Sequence, residues 1–359
     1  MSNSRRDFLK KSAALAALTA SGGFGLQASG RITPKKILRK EEYEWMDLCL
    51  AHFFGFDEIR MQLSTQMGAY GAVTSERDNL KETYDRFKEA GLEWKVLEGV
   101  NLSRAQLGVD GRDEDIEKLI RLIKGCSELG IKVLCYNWMP VISWARTDSA
   151  RKNRGGSLVT AFDYEDIEDN SLTEYGEFTE EQLWENMQYF LDAVIPVAEE
   201  YDVKLALHPD DPPVDKIRGI PRIFTNVDAF KRLITMNSSD YNGICFCQGS
   251  FASQKDTNIP EAIRYFGSRN KIHFVHFRDV TGHTTNFSEE WHDNGKTDMY
   301  EAMKAYYEVG FRGPLRPDHV PTVAGDSNEH PGYSTMGTLF AIGYIKGLME
   351  AVAKEYGYR

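Results

Sequence analysis

From residue 44 onward, short apolar runs alternate with longer stretches whose apolar residues recur every three or four positions. A short run bounded by polar or glycine residues predicts a strand, and the three-to-four spacing predicts an amphipathic helix. On this basis strands are expected at residues 44–51, 70–74, 94–97, 131–137, 203–207, 243–247, 272–276 and 314–316. Helices are expected at 56–67, 80–90, 115–129, 227–236, 260–266, 299–309 and 338–354. The 115–129 helix carries Ile116, Leu119, Ile120 and Ile123 on one face and stops at Gly130. A further helix starts at Thr179, with Gln182 three residues on as a capping box. Leu183, Met187, Phe190, Leu191 and Val194 form its apolar face, and Pro196 is expected to kink or end it.

Eight strands alternating with helices predict an α/β protein with a parallel sheet, and eight is the number that closes a single (βα)8 TIM barrel. An open doubly wound sheet fits less well, because no glycine fingerprint follows the first strand. The stretch from 137 to 203 is too long for a simple connection, so a long insertion follows the fourth strand. Its tryptophans and tyrosines predict an ordered lid rather than a disordered loop.

The first 29 residues stand apart. Arg5-Arg6-Asp7-Phe8-Leu9-Lys10 precedes an apolar run over 13–20 and a small-residue stretch, the order of a signal peptide of twin-arginine type. That run is shorter than the roughly 20 residues that span a bilayer, so no stable membrane anchor is expected after processing. Export to the periplasm follows as an expectation. Residues 30–42 read as a polar linker, and 43–359 as the barrel catalytic domain. A formal charge of -11 argues against a nucleic-acid partner, which needs positive patches for phosphates. The five cysteines are odd in number and all but Cys126 fall on predicted strands, which is not a disulfide framework.

The chemistry gathers at strand ends. His208, Cys247, His276 and Asp318 each lie at the C-terminal end of one of four successive strands, where barrel active sites form. Side chains alternate along a strand, so His273 faces away from His276, while Cys245 shares the face of Cys247 one layer deeper. Two imidazoles, a thiolate and a carboxylate suit Zn2+, Mn2+, Fe2+ or Co2+. His319, next to Asp318, is placed to move a proton, and Tyr333 in the Pro331-Gly332-Tyr333-Ser334 loop is a second acid or base. Arg146 and Arg278 are candidates to hold a substrate carboxylate by paired hydrogen bonds. Arg316 lies on the face of Asp318 one layer deeper, which suits a core ion pair as well.

An ordered set of motifs then points to a family. Cys135-Tyr136-Asn137-Trp138-Met139-Pro140, Leu205-Ala206-Leu207-His208-Pro209-Asp210-Asp211, Phe246-Cys247-Gln248-Gly249-Ser250, His276-Phe277-Arg278, Arg316-Pro317-Asp318-His319 and Pro331-Gly332-Tyr333-Ser334 together resemble mannonate dehydratases of bacterial hexuronate catabolism. The resemblance implies a Mn2+-dependent hydro-lyase that converts D-mannonate to 2-keto-3-deoxy-D-gluconate. It implies His208, Cys247, His276 and Asp318 as metal ligands and His319 and Tyr333 as the catalytic pair. Asn137, Arg146 and Arg278 are the expected substrate-binding residues, and a homodimer is the expected assembly. Thr74-Ser75-Glu76-Arg77-Asp78 and Asp318-His319-Val320-Pro321 depart from the family pattern where substrate would be touched. A metal-dependent sugar isomerase or epimerase on the same barrel, or an exported sugar-acid binding protein without turnover, are the alternatives.

Overall fold

The structure is a computed structural model that describes residues 45–357. Glu44, the signal-like segment and the linker lie outside the described residues. In chain order the strands are β1 (Asp47–Ala51), β2 (Gly71–Thr74), β3 (Glu93–Glu98), β4 (Val133–Asn137), β5 (Asp148–Lys152), β6 (Leu158–Asp163) and β7 (Lys204–His208). They continue with β8 (Lys216–Ile217), β9 (Ile220–Pro221), β10 (Asn242–Cys247), β11 (Ile272–Phe277), β12 (Val280–His283), β13 (Asn286–Glu289) and β14 (Pro314–Pro317). The helices are α1 (Glu58–Gln66), α2 (Leu80–Glu89), α3 (Ser103–Leu107), α4 (Arg112–Glu128) and α5 (Glu180–Glu200). After them come α6 (Val227–Met236), α7 (Gln248–Ser253), α8 (Ile259–Gly267), α9 (Met299–Glu308) and α10 (Thr335–Glu355).

β1, β2, β3, β4, β7, β10, β11 and β14 pair in parallel and close into a barrel, so all eight expected strands are its staves. Cys49, Val73, Val96, Val133, Cys135, Ala206, Cys245 and Phe274 fill its interior. Phe274 lies inside, so alternation sends His273 outward, where its Nδ1 meets the Leu205 carbonyl at 2.8 Å. The register pairs Asn137 with His208, Cys247 with His276, and His276 with Arg316. That levelling brings residues far apart in sequence to one height at the C-terminal mouth of the barrel.

Local chemistry sets the helix starts. Asp57 accepts hydrogen bonds from the Ile59 and Arg60 amides at the head of α1. Thr179 and Gln182 form the expected reciprocal box at the head of α5. Pro196, however, does not end α5, which runs on to Glu200. The proline removes one backbone donor, but Val194, Ile195 and Ala198 around it are buried against the barrel and hold the last turn in place.

The insertion after β4 is more than a lid. β5 and β6 form a hairpin that joins β12 and β13 in a four-stranded antiparallel sheet of order β12-β13-β6-β5. The β12–β13 hairpin was not anticipated from the sequence, which predicts only a connection between the seventh strand and the helix at Asp298. Its strands are four residues long and take their support from β6, a partner remote in sequence.

Candidate active site

Three of the strand-end residues meet at the barrel mouth. The ligand atoms of His208 on β7, Cys247 on β10 and His276 on β11 all lie within 4.8 Å of one another. The two imidazole rings are 5.0 Å apart. His208 Nδ1 sits 2.6 Å from the Pro209 carbonyl oxygen, a contact that requires the proton on Nδ1 and leaves Nε2 its lone pair. Burial pushes the His208 pKa down, against the pull of Glu98, Asp211 and Asp318, which favours the neutral form a metal needs.

Asp318 stands beside this group, with Oδ2 3.7 Å from His276 Nδ1. Its carboxylate is gripped by Arg316 at 2.5 Å and Arg278 at 2.9 Å. Burial alone would raise its pKa; Arg316, His319, His276 and Arg278 hold it well below the usual carboxylate range. Glu98, at the end of β3, accepts from Arg316 and lies 3.1 Å from His276 Nε2. Burial opposes its ionisation, but Arg316 and His276 bring its pKa to about 2.

His319 and Tyr333, the expected acid–base pair, stand beside Asp318. His319 Nδ1 is 3.0 Å from Glu289 Oε1, and its Nε2 is 3.7 Å from Asp318 Oδ1. The rings of Trp144 and Tyr333 flank it at 5.3 and 5.8 Å. The Tyr333 hydroxyl donates to Asp318 Oδ1 at 3.4 Å. Burial, then the charge of Asp318, pushes the Tyr333 pKa up, so the phenol keeps its proton. His208, His276, Asp318, His319 and Tyr333 line one cleft of about 620 Å³, together with Glu98, Asn137, Ser143 and Arg146. A cleft of that size falls within the usual range for small-molecule sites.

This arrangement agrees with three comparisons. The D-mannonate dehydratase (UxuA) family model matches residues 68–174 and 169–358. A mannonate dehydratase of Thermotoga neapolitana is 40% identical over 311 residues, covering 77% of this chain and 85% of that protein. The chain belongs to the mannonate dehydratase family. A relative of the same name from Streptococcus uberis is 36% identical over 305 residues, covering 77% of this chain and 87% of the other. The crystal structure of mannonate dehydratase from Streptococcus suis serotype 2 superposes with a TM-score of 0.82 at 34% identity, over 87% of this chain and 95% of that one.

Mannonate dehydratases are metal-dependent hydro-lyases, and the residues here fit a divalent ion. Among the described residues, the buried His276 Nε2 has no hydrogen-bond partner, despite its closeness to Glu98. The ion-paired carboxylates Glu98, Asp211, Glu289 and Asp318 outnumber the guanidiniums of Arg146, Arg278 and Arg316 by one. Ionising the Cys247 thiol would widen that excess, which a divalent cation would neutralise.

The residues expected to bind substrate are placed as follows. Asn137 lines the cleft, but its side-chain oxygen accepts the Met139 amide at 3.0 Å. Arg146 is buried and bridges Asp211 at 2.6 Å and Glu289 at 2.5 Å. Arg278 is likewise buried, held by Asp211 and Glu289, each at 2.7 Å, and by Asp318. Both guanidiniums therefore have carboxylates within the protein itself. Glu98, Asp211 and Glu289 were missed as site residues. Glu98 at a strand end and Asp211 just past His208 carried a usable signal, whereas Glu289 sits in the unanticipated hairpin and carried none.

Proposed function

We propose that this chain dehydrates D-mannonate, or a closely related sugar acid, to the 2-keto-3-deoxy acid with Mn2+ as its metal. The observation that carries this reading is one cleft lined by His208, His276, Asp318, His319 and Tyr333, with Cys247 buried behind the two imidazoles and its sulfur within 4.8 Å of their ligand atoms. His208, Cys247, His276 and Asp318 would hold the ion. Bound there, it supplies Lewis-acid stabilisation of the charge that builds on the substrate carboxylate as the neighbouring carbon loses its proton.

The chain's own groups carry the protons. His319 Nε2 takes the proton from C2, and that C–H electron pair becomes the C2=C3 bond. The C3 hydroxyl leaves as water with the proton of the Tyr333 phenol, and the resulting enol relaxes to the 2-keto acid. A phenol whose pKa is raised suits the donor's role, and an imidazole whose Nδ1 faces a carboxylate suits the acceptor's. Asp318, 3.4 Å from the Tyr333 oxygen, orients that hydroxyl.

The test is to incubate metal-loaded protein with a panel of aldonic and uronic acids and assay the products. A 2-keto-3-deoxy acid from mannonate is the expected result. A stereoisomer formed without loss of water would replace the reading with an epimerase. Binding without any product would replace it with a sugar-acid binding protein. Repeating the assay with Mn2+, Fe2+, Co2+ and Zn2+ ranks the metals.

Two further proposals complete the reading. The Arg5-Arg6 segment supports twin-arginine export to the periplasm, which cell fractionation tests. Exposed Met336, Leu339 and Phe340 on α10 support a homodimer, which sedimentation tests.

A further inference from the structure

His319 adopts φ +41, a left-handed conformation that is strained for a residue with a Cβ, so its ring direction is imposed by what surrounds it. Two constraints come from the small antiparallel sheet rather than from the barrel. At its start, β6 exchanges backbone hydrogen bonds with the segment after His319: Leu158 N to Thr322 O at 2.9 Å and Thr322 N to Leu158 O at 2.8 Å. Further along, β6 pairs with β13, which ends at Glu289. The same sheet therefore holds the loop that bears His319 and the carboxylate that meets its ring.

We propose that Glu289 is a positioning residue for the dehydration: it fixes the Nδ1–H tautomer of His319 and aims Nε2 at the substrate, with the β5–β6–β13–β12 sheet as its scaffold. This rests on the reading of His319 as the proton acceptor. An ionised carboxylate only accepts hydrogen bonds, so the 3.0 Å contact at Nδ1 requires the proton there and leaves the Nε2 lone pair free. When His319 becomes an imidazolium, the same carboxylate stabilises the new charge, the task of the acid member of a catalytic triad. Glu289 is itself immobilised, because Arg146 and Arg278 both donate to it, its backbone is paired with Val280, and the preceding Asn286–Ser288 is paired on both edges. The arginines do not need Glu289 alone for charge balance: Asp211 already bridges both of them. The placement of one Glu289 oxygen on His319 is what Asp211 does not duplicate.

The deciding experiment is a double-mutant cycle on the metal-loaded enzyme with Glu289→Gln, His319→Gln and the double variant, recording kcat, KM and metal content. Glu289→Gln is expected to lower kcat by about 10²–10⁴-fold, with KM and metal content little changed. In the His319→Gln background the same change is expected to alter the residual kcat by no more than about twofold, because its effect runs through the missing imidazole. A full additional loss in that background, or wild-type kcat in Glu289→Gln, overturns the proposal. Wild-type turnover in His319→Gln overturns the assignment of His319 itself, a separately visible failure. Should Glu289→Gln not fold, 15N NMR of His319 in the unmodified enzyme decides: the Nδ1–H tautomer is expected, and the Nε2–H tautomer overturns the proposal.

Discussion

Arg316 donates from Nε and Nη2 to the two carboxylate oxygens of Glu98, at 3.2 and 3.0 Å. This parallel pair joins β14 to β3 across the barrel mouth, level with His276. The same guanidinium reaches Asp318 through Nη1, so one buried arginine sets the position of both acids. Its fork geometry makes that double role possible, which a lysine would not reproduce.

Breaking this pair should therefore cost stability. Glu98→Leu leaves the Arg316 charge buried with less compensation, and the expected loss is about 3–5 kcal/mol by urea denaturation. The double variant Glu98→Leu/Arg316→Met removes both charges and should recover part of that loss. A wild-type midpoint for Glu98→Leu alone would show that the pair contributes nothing.

Metal binding should be visible as stability. Addition of Mn2+ at about 100 times its Kd should stabilise the wild-type protein by about 2.7 kcal/mol. His276→Ala, Cys247→Ser and Asp318→Ala should each bind less metal by elemental analysis and show a smaller shift. Full metal content in Asp318→Ala would remove Asp318 from the ligand set.

Tyr333→Phe deletes one hydroxyl and keeps the ring contacts to Phe53 and Phe54 at 5.7 and 5.4 Å. The expected result is a fall in kcat of about 10²–10⁴-fold with the fold and metal content intact. Unchanged kcat would assign the leaving-group proton to another donor.

Acid should destabilise the metal-free protein before its carboxylates are protonated. Burial first, with nearby cations, lowers the pKa of His52 and His273 to about 3; burial lowers that of His292 to about 4. Unfolded, each histidine titrates near 6.5, so below that pH the unfolded chain binds protons that the folded one refuses. Stability then falls as pH falls from about 6.5, by up to roughly 1.4 kcal/mol per pH unit for each histidine. Denaturation in chelator between pH 7 and 5 measures the slope, and His273→Asn should flatten it. A pH-independent midpoint across that range would contradict the assignment.

The eight barrel strands and most of their helices were legible in the sequence because apolar periodicity, caps and glycine stops are properties of neighbouring residues. The strand-end positions of His208, Cys247, His276 and Asp318 followed from the same local pattern. Two local signals fell short: Pro196, expected to kink or end its helix, does not end it because tertiary burial holds the last turn, and the hairpin at Val280–Glu289 lacks a strong turn signature.

What the sequence determined by itself is the barrel and the residue types at its mouth. Tertiary structure alone decided which charges meet. Arg146 and Arg278 looked available to a substrate, yet Asp211, Glu289 and Asp318 hold them inside the protein. Glu289 meets His319 only because β6 pairs with β13 and bridges Thr322. Ion pairing in a buried site depends on distances of a few ångströms and on excluded water. Both are set by how strands from remote parts of the chain come to lie side by side.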